Sequence, residues 1–127
     1  MKKNEIEIRI WDKGDNKMKY ADIEHFDDMV GFRFEHKSIE ADGEPDMIEI
    51  MLFSGRLDED RKKIFDGDIC SNEVAKWEII FDTGCFCGKR INGSDGTQNT
   101  HLALRAIRGL RIIGNIYETP ELLKTDI

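Results

Sequence analysis

Short segments in which apolar and charged residues alternate set the fold class of this chain. Residues 5–10 read EIEIRI, so the three isoleucines fall on one side of an extended backbone and the charged residues on the other. A period of two is typical of a strand with one buried face. The following Gly14, Asp15 and Asn16 favour a hairpin turn, because glycine and asparagine tolerate a positive φ. The chain therefore begins with a predicted β-hairpin.

The same pattern returns along the chain between glycine-containing turns. We predict further strands over residues 29–34, 47–53, 69–70, 74–82 and 110–118, and a partner strand beginning at Phe86. Pro120 opens a short terminal helix, with Thr119 as its N-cap. Many short strands with such turns indicate a mainly β fold, that is, a β-rich α+β protein. We expect a strongly bent antiparallel sheet or a small barrel with a short C-terminal helix.

Two segments do not carry a strand pattern. Residues 54–69 have glycines near both ends and a charged middle, so they are interpreted as a loop that returns the chain to a strand at Ile69. Residues 101–108 space Leu102, Ala103, Ala106 and Ile107 as one face of a helix would, which predicts one or two helical turns before Gly109.

The length and the apolar runs limit the class of protein. A chain of 127 residues is the common size of one domain, so we expect a single domain over residues 1–127. No apolar run approaches the roughly 20 residues that cross a bilayer, and the first residues, MKKNEIEIRIWDKG, lack the apolar core of a signal peptide. We therefore expect a cytoplasmic protein without a membrane partner. Its three cysteines are expected to be reduced thiols.

Charge is distributed unevenly in this acidic chain. The net charge of the chain is −7. The stretch from Phe86 to Tyr117 carries +4, because it contains five basic residues and one acidic residue, Asp95, and the rest of the chain therefore carries −11. The five basic residues are Lys89, Arg90, Arg105, Arg108 and Arg111. They are interpreted either as an ordinary solvated surface or as an interaction patch that meets the acidic surface of a second copy in a head-to-tail assembly.

Three blocks of sequence together resemble the YopX family of phage and prophage proteins. They are IRIWD at Ile8 to Asp12, MLFSGRLDEDRKKIFDGDI at Met51 to Ile69, and IIGNIYETPELL at Ile112 to Leu123. The chain departs from the family pattern in the middle block, where Arg56 is an extra residue, Phe65 replaces the usual tyrosine and Asp66 replaces glutamate.

The resemblance implies an accessory protein of phage or prophage, in the cytoplasm of the host cell, with no assigned biochemical activity. It also implies self-association, and a host or phage protein is the expected partner. The resemblance supplies no catalytic residues, and we predict no enzyme activity and no cofactor. Two alternative functions remain open. One is a small barrel that binds nucleic acid through the basic residues, which the negative net charge disfavours. The other is an acidic DNA mimic that acts on a host DNA-binding protein.

Two residue sets raise the question of a metal site. Asp66 and Asp68 form a carboxylate pair in the DGD sequence, but a tight turn in which an aspartate accepts backbone hydrogen bonds explains them better than a divalent cation does. Cys85, Cys87, Cys70 and His101 make four possible zinc ligands with a spacing unlike that of structural zinc sites. The preferred interpretation is therefore no metal, with the cysteines as small buried hydrophobic residues.

Other chemistries lack their motifs. His25, His36 and His101 have no recognisable cysteine-protease context, and the chain contains no nucleophile elbow, phosphate-binding glycine loop or dinucleotide fingerprint. Trp11 and Trp77 have basic neighbours, as base-stacking platforms do, but core packing explains both equally well. We expect both indoles to be buried.

Overall fold

The alternating segments form ten β-strands within residues 7–26, 29–34, 48–91 and 101–124, the residues that the computed structural model describes. The strands are β1 Ile8–Asp12, β2 Lys17–Phe26, β3 Met29–Phe34, β4 Ile48–Leu57, β5 Lys63–Phe65, β6 Asp68–Ser71, β7 Lys76–Asp82, β8 Cys85–Arg90, β9 His101–Ala103 and β10 Arg111–Asn115. Short 3-10 helices cover Leu104–Ala106 and Pro120–Leu123. The prediction of a β-rich fold with a short C-terminal helix is confirmed.

The strands form two antiparallel sheets of five, in the orders β3-β2-β1-β4-β5 and β10-β6-β7-β8-β9, and one of the sheets curls strongly into a half-barrel. The chain also divides into two compact units, Met1–Phe53 and Ser54–Ile127, and β4 runs through the boundary. The expectation of a single domain stays a prediction. Within the described residues, no helix has the length and apolar composition needed to span a membrane.

The predicted first hairpin forms between β1 and β2. Asp12 and Lys17 pair at its end, across a turn in which Asn16 has a φ of 54°. The Asp12 carboxylate accepts a hydrogen bond from the backbone N–H of Gly14 at 2.9 Å and lies 2.7 Å from Nζ of Lys19. The hydrogen bond from Lys19 is the main reason why the pKa of Asp12 lies below its ordinary value.

Among the described residues of the first unit, strands β1 and β4 carry buried side chains. Ile10 and Trp11 are both buried, with Trp11 8% exposed, and Met51 of β4 is buried as well. Arg9 is buried on the same strand, where its Nε lies 3.3 Å from Sδ of Met51. The expectation that Trp11 is buried is confirmed, which leaves its indole unavailable for stacking on bases.

The second unit is built around a larger core on one face of its sheet. Cys70 of β6 pairs with Trp77 of β7, and the alternation along β7 puts Ile79 on the same face as Trp77. The buried cluster consists of Ile64, Cys70, Ala75, Trp77, Ile79, Leu104, Ile107 and Leu110. Trp77 is 3% exposed, so the base-stacking interpretation is wrong for this indole too.

Two predictions of local structure are wrong in part. Residues 54–69 are not one loop, because β4 continues to Leu57 and β5 follows after a turn; Ile64 and Phe65 are buried there and account for the strand. Residues 101–108 form β9 and a single 3-10 turn, since β9 pairs with β8 and ends the helical spacing at Ala103.

The DGD turn between β5 and β6 has the structure that its sequence predicts. The carboxylate of Asp68, which is buried, accepts a hydrogen bond from the backbone N–H of Phe65 at 2.8 Å. Gly67 has a φ of +89°, and its backbone N–H and C=O bond to Ile79 and Ile116. The predicted role of an aspartate that accepts a backbone hydrogen bond in the turn is confirmed for Asp68.

This geometry makes Gly67 the sensitive position of the turn. We expect Gly67→Val to destabilise the protein by about 1 to 3 kcal/mol more than Asp66→Ala, because a β-branched residue is strained at positive φ. Urea unfolding of the two variants measures the difference. Equal, small shifts in the urea midpoints of the two variants would show that valine is tolerated at the positive φ of position 67.

Candidate functional site

An open cleft of about 640 Å³ lies in the second unit. Its walls come from three segments, namely the turn after β4, the turn between β6 and β7, and the segment that leads into β10. The lining residues are Glu59, Ser71, Asn72, Glu73, Val74, Arg108, Gly109 and Arg111. The cleft is therefore made of loops that the core strands position.

Asp58 holds the first wall against β10. Its carboxylate accepts backbone hydrogen bonds from Asp60 at 2.9 Å, Lys62 at 2.8 Å and Ile112 at 3.0 Å. Burial of Asp58 acts to raise its pKa, but these three N–H donors outweigh burial, and the pKa lies below its ordinary value. A backbone hydrogen bond from Glu59 to the carbonyl of Leu110, 2.9 Å long, joins the same two segments.

Asn72 holds the second wall. Its side-chain oxygen accepts hydrogen bonds from the backbone N–H groups of Val74 at 3.0 Å and Ala75 at 2.9 Å, and from Nε1 of Trp77 at 3.2 Å. Its side-chain nitrogen donates to the carbonyl of Arg108 at 2.9 Å. One amide thus fixes the turn between β6 and β7, ties it to the core indole and attaches it to the third wall.

The cleft presents both signs of charge beside an apolar residue. Glu59 and Glu73 balance Arg108 and Arg111, so the charged residues of the lining sum to zero. Arg111 also lies 3.8 Å from the carboxylate of Asp60, and both side chains are more than half exposed. Val74 is 66% exposed at this site. The surface is suited to a ligand with apolar groups and charges of both signs.

The structure brings together only part of the predicted interaction patch. Arg108 and Arg111 line the cleft, whereas Arg105 is exposed in the first 3-10 helix, and Lys89 and Arg90 lie half-buried on β8. Sequence reasoning missed the contributions of Asp58 and Asn72. Asp58 stands in an acidic run that resembles a solvated surface, and Asn72 precedes a turn without any motif of its own. The side chains of Asp58 and Asn72 hold the walls of the cleft in place through these hydrogen bonds.

The four possible zinc ligands do not come together. Cys70 faces the core with Trp77, whereas Cys85 and Cys87 pair with alternate positions of β7 on the opposite face of the sheet. His101 pairs with Lys89 on β8. Within the described part of the chain, no three His, Cys, Asp or Glu side chains are grouped to hold a metal ion. The expectation that the cysteines are buried holds for Cys70 but is wrong for Cys85, which is exposed.

The sequence model of the YopX protein family matches residues 7–124. This chain belongs to the YopX family. The solved structure of protein EF1440 from Enterococcus faecalis is similar, with a TM-score of 0.58 and 20% identity over 94% of this chain and 98% of that one. The structure of YopX from Bacillus subtilis is similar with a TM-score of 0.51 and 16% identity, over 93% and 98% of the two chains. At these identities the likeness shows the YopX fold alone. None of the curated protein sequences matches this chain.

Proposed function

We propose that this YopX-family protein is a non-enzymatic, self-associating module that binds protein through the cleft, and that it serves as a phage or prophage accessory protein in the host cytoplasm. The observation that carries the proposal is the lining of the cleft, in which two glutamates and two arginines surround the exposed Val74. Protein surfaces offer apolar groups and charges of both signs, and protein interfaces combine an apolar centre with a polar rim.

The same lining argues against nucleic acid as the ligand. Binding to phosphates depends on a surplus of Lys and Arg that replaces counterions. The cleft has no such surplus, and the whole chain carries −7. Filter binding to single-stranded and duplex DNA at low salt separates the two functions: steeply salt-dependent binding that Arg108→Glu abolishes would favour the alternative of a nucleic-acid-binding barrel over a protein-binding cleft.

A second copy of the chain is the proposed occupant in self-association. The acidic remainder carries −11, and Arg108 and Arg111 are the part of the basic patch that stands in a concave site. An arginine-lined cleft on one copy that receives carboxylates of another gives head-to-tail contacts.

Charge reversal tests this assembly. In sedimentation at micromolar concentration, Arg108→Glu combined with Arg111→Glu is expected to reduce the mass of the oligomer, because attraction becomes repulsion at the same contacts. The same change with Arg105→Glu added is expected to give no smaller species. Salt at 1 M is expected to loosen the unmodified oligomer, since exposed charge pairs are screened within about 3 Å at that concentration.

The matched control combines Lys17→Glu with Arg105→Glu. Both residues are exposed and lie outside the cleft, and the net charge changes by the same amount. The control is expected to keep the mass of the unmodified protein. An unmodified chain that sediments as a monomer, or a cleft variant that keeps its mass, would overturn self-association through the cleft.

A further inference from the structure

Cys85 and Cys87 lie side by side at the tip of the β7–β8 hairpin. Side chains two residues apart on a strand project from the same face, and Asp82, the partner of Cys85 across the strand pair, shares that face. It is the face opposite to Trp77 and the core. Cys85 is exposed, Cys87 is half-buried, and both are free thiols. The cleft described above contains neither of them.

The contacts of the two thiols turn them toward each other. Sγ of Cys87 donates to the carbonyl of Cys85 at 3.7 Å, which brings this sulfur back along the strand toward the preceding cysteine. Sγ of Cys85 donates to the carbonyl of Phe86 at 3.4 Å.

The strand geometry favours a bound ion over a disulfide. Two residues of a strand span about 6.7 Å, whereas a disulfide holds its Cβ atoms about 3.5 to 4.5 Å apart. Parallel side chains at strand spacing do not reach that separation unless the backbone moves. Two thiolates on opposite sides of an ion stand about 4.6 Å apart if each bond is about 2.3 Å long, as in thiolate metal sites. Side-chain rotation alone reaches this spacing.

The number and type of ligands select the ion. Within the described residues no third metal-binding side chain joins the pair, whereas structural zinc takes four ligands and the hard cations take oxygens. Thiolates select soft ions such as Cu(I). We propose that Cys85 and Cys87 form a two-thiolate site for a soft monovalent cation of the Cu(I) class. Two S–H bonds break, two Cu–S bonds form, two protons leave to solvent and no electron is transferred.

Competition with a chromophoric Cu(I) chelator under anaerobic, reducing conditions tests the site. The full chain is expected to remove one Cu(I) per molecule. Cys85→Ser and Cys87→Ser are each expected to weaken binding by at least about 100-fold, because a single thiolate leaves the ion half coordinated. The matched control is Cys70→Ala, since Cys70 lies in the core on the opposite face, and it is expected to bind as the unmodified chain does. A single serine variant with unchanged affinity would overturn the proposal.

Alkylation gives a second readout that requires no variant to fold. Cu(I) is expected to protect both Cys85 and Cys87 from N-ethylmaleimide, as read by mass spectrometry of their peptide. Protection of only one of the two would contradict a shared ion. Formation of a Cys85–Cys87 disulfide with oxidised glutathione, under conditions that leave the strand folded, would contradict the argument from strand spacing.

Discussion

Trp11→Ala is expected to lower the free energy of unfolding by about 3 to 5 kcal/mol, the range for emptying a large buried aromatic site. Trp11 lies on β1 between two paired strands, opposite Met18 of β2 and Glu49 of β4. Only 8% of its surface is exposed, so removal of the indole leaves a cavity in the first unit. Urea unfolding followed by circular dichroism measures the loss. Fluorescence of Trp77, the one tryptophan left in this variant, follows the second unit at the same time.

Tyr20→Ala is the matched control for this change. Tyr20 pairs with Arg9, so it stands on the same face of the hairpin as Trp11, but it is 54% exposed. Its removal is expected to cost less than about 1 kcal/mol, the usual range for surface substitutions. A loss below about 1 kcal/mol for Trp11→Ala itself would show that the indole is not packed in the core.

The strands could be predicted where the alternation is long enough to read. IRIWD gives β1, and KWEIIFD gives β7 with its buried Trp77 and Ile79. Strand β5 was not predicted, because its three residues, Lys63–Phe65, are too few to show a period of two and the charged residues before them are typical of a loop. At β9 the helical spacing of Leu102 and its neighbours was overridden by pairing with β8, a tertiary contact that no local pattern contains.

The candidate site was predictable only in part, for a related reason. Arg108 and Arg111 are recognisable in the sequence as members of a basic stretch, and both line the cleft. The residues that shape the cleft act through burial and hydrogen bonds to distant backbone. Asp58 reaches Ile112, which is 54 positions away, and Asn72 reaches Arg108, which is 36 positions away. Sequence alone does not give such distant contacts.

Asp58→Ala is expected to destabilise the protein by about 3 to 5 kcal/mol, because three backbone N–H groups lose their acceptor and each unpaired donor costs about 1 to 3 kcal/mol. The expected total is smaller than the sum of the three costs, because the turn around Asp60 is exposed and the backbone N–H of Asp60 can bind water instead. Asp60→Ala is the matched control. Asp60 is exposed and its pairing with Arg111 at 3.8 Å is solvated, so the expected loss is below about 1 kcal/mol. Urea unfolding of the two variants makes the comparison.

The pH dependence of the Asp58 variants tests the charge separately from the shape. The pKa of Asp58 is lower in the folded protein than in the unfolded chain. The stability that its carboxylate contributes is therefore fully present above the pKa of the unfolded state, about 3.9, and is lost as the pH falls through the pKa of the folded state. Asp58→Asn keeps an acceptor oxygen but has no charge to lose. The stability difference between the unmodified protein and Asp58→Asn is therefore expected to be constant from pH 7 to about 5 and to shrink below about 4. Asp12, whose pKa is also depressed, is present in both proteins, so its contribution cancels in this difference. A difference that stays constant down to about pH 2 would show that the three N–H donors do not favour the carboxylate of Asp58.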